Sequence, residues 1–181
     1  MKILGILRHA KSSWEDLDVR DFDRQLNKRG HKGAKLMGQH MQGHGLRYDK
    51  VIASTAARVR ETLADINAVT KLLPPVEWDE RLYLASPGTM MEVLREVRGT
   101  PRSILVSGHN PGLQELILEL VCDEGNDPAL DEITSKFPTA AYAVLELEID
   151  EWNELAPGCA RLVHFARPRD LDASLGPELM D

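Results

Sequence analysis

The chain of 181 residues is poor in cysteine, has no long apolar run and has no block of one charge sign. Its two cysteines, Cys122 and Cys159, lack metal-like spacing. This excludes a disulfide framework and reads as a pair of reduced thiols. The N-terminal apolar run, Ile3 to Leu7, is too short for a signal peptide and stops at Arg8-His9. No stretch has the length of a membrane span, so a soluble cytoplasmic chain is expected. Net charge is −7 with acids and bases interleaved. That pattern excludes the basic footprint of a nucleic-acid binder, and an acidic membrane surface would repel it. A phosphate-bearing ligand would have to be drawn locally, by a few placed arginines. Neither GxGxxG nor GxxxxGK[ST] occurs, and Ser107 lacks the GxSxG elbow, which disfavours dinucleotide, P-loop and elbow-serine enzymes.

What is present is an alternation. KILGIL (2–7), DKVIAS (49–54), PPVEW and SILVS (103–107) read as strands, the apolar ones covered on both faces. Helices are expected between them. One runs from about Lys28 to Gln42 behind an Asn27 cap, with Ala34, Met37 and Met41 inward, and Gly30, Gly33 and Gly38 packed closely on a sheet. A second carries Val59, Leu63, Ile66 and Val69 behind Ser54 or Thr55; a third opens at Ser86-Pro87; a fourth opens at Asn110-Pro111. Strand–helix alternation of this kind implies right-handed crossovers and a mostly parallel sheet in a three-layer α/β/α sandwich. Beyond an acidic, loop-like stretch (123–132), residues 140–149 and ARLVHFA (160–166) predict an antiparallel C-terminal strand pair. The expected organisation is one α/β domain over 1–166 and a loosely ordered tail over 167–181.

The unusual polar residues fall at strand ends. Arg8-His9 follow the first strand, Ser54 to Arg58 the second, and Gly108-His109-Asn110 the fourth. Ligands of open parallel sheets bind at the carboxyl ends of strands, so these segments should meet at one edge. Arginine forks there fit phosphate oxygens, and helix N-termini add backbone donors. A neutral imidazole aligned behind phosphorus could act as nucleophile, giving a phosphohistidine intermediate. Arg8-His9 alone would be read as an ordinary solvated strand end; convergence of three ends is what points to a phosphate site. His40 and His44 have i, i+4 metal spacing but read as a solvated helix terminus, His31 as surface, and His164 as structural.

LRHAKS, ASTAARVRET and SGHNPGL, in this order, resemble the motifs of the histidine phosphatase superfamily, the group that includes the cofactor-dependent phosphoglycerate mutases. RQLNKRG (24–30) is similar to a further segment of that family, and the first motif and compact length look most like the SixA-type phosphohistidine phosphatases. The resemblance implies that His9 is the nucleophile, that Arg8, Arg58 and His109 clamp the phosphoryl oxygens, and that Arg24 is a fourth phosphate contact. It implies a metal-independent phosphatase without cofactor.

Two departures bear on substrate. Ala10 replaces the usual glycine, and Leu84 stands where many relatives place a glutamate acid, with Glu80 just upstream. An alcohol leaving group needs a proton, whereas an imidazole leaving group is far less basic, titrating near pH ~6.5. A site without a strong acid therefore suits phosphohistidine on a protein, and the short connections predict an open pocket that a protein side chain can enter. Asp21 is the candidate for any proton transfer, beside the simpler reading of a carboxylate on a wet loop. Trp14 is expected to be a hydrophobic anchor. Two other readings stay open: a broad phosphatase for small phosphate esters using Asp21 or Glu80 as acid, and a phosphoprotein-binding module without turnover.

Overall fold

The apolar run at the N-terminus forms β1 (Lys2–Arg8), and its alternation decides the layering. Leu4 and Ile6 point into one apolar cluster and Leu7 into another, all three fully buried. The same split recurs in β2 (Lys50–Ala53) and β4 (Ser103–Gly108): Ile52, Ile104 and Val106 join the first cluster, while Val51, Ala53 and Leu105 join the second. Period-two strands covered on both faces give three layers. The structure, a computed structural model, describes residues 1–177.

The sheet has six strands in the order β3-β2-β4-β1-β5-β6, with β3 (Val76–Trp78) at one edge and β6 (Ala160–Ala166) at the other. β1 to β4 are parallel, and β5 (Tyr142–Leu147) runs antiparallel to both β1 and β6. On one face lie α1 (Lys28–Gly43) and α2 (Ala57–Thr70), contributing Met37, Met41, Val59, Leu63 and Ile66. The other face holds α3 (Pro87–Arg95), α4 (Gly112–Leu120) and α5 (Pro128–Ser135). The mostly parallel sheet, its two helical layers and its C-terminal antiparallel pair are as expected. No helix among the described residues is long and apolar enough to cross a membrane.

Several local expectations are corrected. Gly38 lies against Ile66 of α2, not on the sheet: a Cβ there would come within 3.2 Å of the Ile66 Cα. Gly30 passes the Lys11 carbonyl oxygen, which an added Cβ would meet at 2.1 Å. Helix α2 is capped by Ala56 with no side-chain bond, and the Ser54 hydroxyl accepts from the Ala56 amide and from His109 instead. Helix α4 starts at Gly112 rather than at Pro111. The acidic stretch is not wholly loop: Asp127 caps α5 by accepting from the Ala129 and Leu130 amides, and Leu130 and Ile133 are buried.

The segment from Arg167, expected to be loose, is anchored as far as Gly176. It forms α6 (Pro168–Leu171) with Pro168 buried, Lys32 pairs with Asp172 at 2.8 Å, and Arg29 donates to the Ser174 and Gly176 carbonyls. The remainder of that expected tail, 178–181, lies outside the described residues. His40 is half-buried rather than solvated, its Nε2 2.8 Å from Nε2 of His164 on β6.

Candidate active site

Parallel pairing of β1 with β4 sets Arg8 opposite Gly108, so the two histidines that follow emerge side by side. Their ring centroids are 5.2 Å apart. The His9 backbone is fixed on both sides: its amide donates to the Gly108 carbonyl, and its carbonyl accepts from the Ala140 amide. Residues separated widely in sequence meet here because crossovers return each strand's carboxyl end to the same edge.

The hydrogen bonds assign the tautomer of each imidazole. His9 Nδ1 lies 2.7 Å from the Ala10 carbonyl oxygen, which can only accept, so Nδ1 carries the proton. His9 Nε2 is then a bare lone pair, and Arg58 Nε donates to it at 3.3 Å. For His109, Arg58 Nη2 donates to Nδ1 at 3.2 Å, so Nε2 carries the proton and donates to Ser54 Oγ at 2.8 Å. Burial draws the His9 pKa down to about 3, against a raising bond from Ala10 and helped by His109, Arg58 and Arg8. Burial also draws His109 to about 3, with Arg58 and Arg8 lowering it and Asp21 opposing. Both rings are therefore neutral at neutral pH.

Arg58, 2 % exposed in the first turn of α2, touches almost everything in the site. Besides the two imidazoles, Nη1 donates to the Asp21 carbonyl at 2.7 Å and Nη2 to Asp21 Oδ2 at 3.1 Å. Arg24 is also buried, donating through Nη1 to Ser12 Oγ at 2.7 Å and through Nε and Nη2 to Asp21 Oδ1. Arg8 reaches across to the Phe137 carbonyl with Nη1 at 3.0 Å, leaving its buried Nε without a hydrogen-bond partner among the described residues. Burial and the nearby Arg58 charge pull the Arg8 pKa down to about 10, so it stays a cation.

The structure thus brings together six of the sequence candidates, Arg8, His9, Asp21, Arg24, Arg58 and His109. Asp21 differs in state from the acid it was considered to be. Burial would raise its pKa, but hydrogen bonds from Tyr83 and Arg24 and the charge of Arg58 outweigh it and hold the carboxyl at about 2. Glu80 does not join the site: it is exposed in the turn Glu80–Leu82, and its carboxylate bonds to none of these residues. Leu84 is 57 % exposed with φ at +50°. Trp14 is no buried anchor; it is 66 % exposed and its ring lies 3.6 Å from the Arg24 guanidinium carbon.

Four supports were not foreseen. Ser54 orients His109; Ser12 holds Arg24; Thr62 accepts from the Ala10 amide and donates to the Arg58 carbonyl; Tyr83 donates to Asp21 Oδ2. Tyr83 directly precedes Leu84, and its phenol is the polar group that this stretch delivers to the site. The site as built can hold a phosphoryl group between neutral imidazoles and guanidinium forks, beside the unprotonated Nε2 of His9.

The profile of the histidine phosphatase superfamily, branch 1, matches residues 4–112, a span that contains Arg8, His9, Asp21, Arg24, Arg58 and His109. An uncharacterized protein of Mycobacterium tuberculosis (strain H37Rv), Rv1276c, is 40 % identical over 164 residues, covering 90 % of this chain and all of its own length. Among solved structures, a protein of Nakamurella multipartitia provisionally named phosphohistidine phosphatase SixA has 31 % identity and a TM-score of 0.78, with 92 % and 96 % of the two chains covered. An Agrobacterium tumefaciens protein with the same provisional name has 26 % identity and a TM-score of 0.77, with 92 % and 98 % covered. This chain belongs to the histidine phosphatase superfamily. Within that superfamily its fold is SixA-like, and phosphatase chemistry is the class of reaction its site serves.

Proposed function

We propose that this protein hydrolyses phosphohistidine on another protein, with His9 as the nucleophile. His9 Nε2 attacks phosphorus while the bond to the substrate's imidazole breaks, its electron pair leaving with that nitrogen, which takes a proton from solvent water. Water then attacks phospho-His9, releasing inorganic phosphate and returning the neutral imidazole. Arg8, Arg58, Arg24 and His109 hold the phosphoryl oxygens through both steps, the electrostatic clamp that phosphoryl transfer chiefly needs.

The observation that carries the choice of a P–N bond is the state of Asp21. Among the described residues it is the one carboxylate bonded to the site arginines, and before substrate binds they hold it ionised down to about pH 2, so it enters the reaction with no proton to give an alcohol. Tyr83, its neighbour, is pushed above the usual phenol range by burial and by the Asp21 bond, which makes it a poor acid. A departing imidazole needs little help, since it is a far weaker base than an alkoxide. The provisional names of two structural relatives point the same way.

The test compares kcat/KM for a histidine-phosphorylated protein with that for phosphoserine, an alkyl phosphate, under identical conditions. Preference for the P–N substrate by orders of magnitude is expected. Equal or faster turnover of the ester would overturn the reading in favour of a phosphomonoesterase, and binding without turnover of either would make the protein a recognition module.

A further inference from the structure

Two of the three guanidiniums in the site, those of Arg24 and Arg58, already hold an anion. Arg24 gives Nε and Nη2 to Asp21 Oδ1, at 3.2 and 2.9 Å. Arg58 gives Nη2 to Oδ2 and Nη1 to the backbone carbonyl of the same residue. Tyr83 donates its phenol proton to Oδ2. A carboxylate and a phosphate use the same forks in the same way, so they compete.

The partners differ in how firmly they are fixed. The Arg58 and Arg24 side chains are 3 % and 9 % exposed, and each has a second anchor, His9 for Arg58 and Ser12 for Arg24. The Asp21 side chain is 44 % exposed, on the short turn Asp21–Asp23, which has no buried residue. When a phosphoryl group arrives, the arginines stay and the carboxylate yields. Tyr83 is the latch on that carboxylate. Its ring is held edge-on by Phe22, centroids 5.1 Å apart, and by His109 at 5.3 Å, so the phenol stays aimed at Asp21.

Resting on the reading of this site as the phosphate site, we infer that Asp21, held by Tyr83, is an internal anion that competes with inorganic phosphate for Arg24 and Arg58 and so speeds product release. With Asp21 in place the site carries three arginines and one carboxylate, a surplus of two positive charges that a phosphate dianion neutralises. Without it, the surplus is three, and a dianion is retained.

The experiment is calorimetric titration of inorganic phosphate into wild type, Asp21→Asn and Tyr83→Phe, with Ki for phosphate and kcat measured beside it. Asparagine keeps the shape and an acceptor on an exposed turn, and phenylalanine keeps the ring packing. Asp21→Asn is expected to tighten phosphate by about ten-fold or more, the worth of one charge-assisted hydrogen bond or a little over, and to lower kcat as release slows. Tyr83→Phe is expected to move Kd the same way by about two- to five-fold, the worth of a weaker bond. Unchanged or weaker phosphate binding in Asp21→Asn would overturn the inference and make Asp21 an orienter of the two arginines. Substrate preference of the wild type is scored independently, so that result leaves the P–N reading standing. Phosphate binding undiminished in Arg58→Ala overturns both.

Discussion

Removing the Ser54 hydroxyl tests how His109 is held. Ser54 is fully buried and His109 is 1 % exposed, so no water can replace the lost acceptor of the Nε2 proton. A buried donor left without a partner costs about 1–3 kcal/mol, and the Ala56 amide also loses its bond to Ser54 Oγ at 3.3 Å. The ring can escape the penalty only by moving its proton to Nδ1, which would then face Arg58 Nη2, donor against donor. Ser54→Ala should therefore lower unfolding stability by about 1–3 kcal/mol. At about 1.4 kcal/mol per decade, the same loss of registry at His109 should slow phosphoenzyme formation by about 5- to 150-fold. Urea unfolding reads the first and rapid-quench labelling the second. Unchanged stability and a rate within two-fold would refute the tautomer assignment; lost stability with an unchanged rate would refute the link between His109 registry and phosphoryl transfer.

Two further predictions concern the same edge. Ring signals of His9 and His109 followed by NMR should stay those of neutral tautomers from pH 8 down to pH 5, since burial holds both near 3. The unfolded chain takes up these protons near pH ~6.5 and the folded chain only near 3, so stability should fall as pH drops through that window; a His9 midpoint near 6.5 would contradict this. Gly112→Ala should cost about 1–3 kcal/mol by overpacking, because its Cβ would sit 2.0 Å from the Ala85 carbonyl oxygen and 2.8 Å from Met90 Cε. Thermal unfolding would show it, and a neutral or stabilising result would mean that the 83–85 segment yields freely.

What could be read in the sequence was whatever has a local period or a fixed place in the topology. Alternating β1, the Asn27 cap and the inward stripes of α1 to α4 are local patterns, and strand-end placement followed from them. Arg24 came only from family resemblance, because it lies on a loop with no period to place it. Ser54, expected with Thr55 as a candidate helix cap, accepts from the Ala56 amide and also holds His109, 55 residues away, and only the fold brings that partner to it. Tyr83 and Thr62 act through contacts between elements, and nothing in their own neighbourhood announces that. The C-terminal segment looked loose because its anchors, Arg29 and Lys32, lie on a helix more than a hundred residues upstream. Asp21 was legible as a residue near the site but not as an anion held by two arginines, a state set wholly by the fold.

The central claim is that His9 carries the phosphoryl group. It is tested most directly by mixing the protein with a protein labelled on phosphohistidine and quenching within milliseconds in alkali, where phosphohistidine survives. The account predicts label on the wild-type chain, mapped to His9, and neither label nor turnover with His9→Ala. Label on another residue, or turnover that survives His9→Ala, would contradict it.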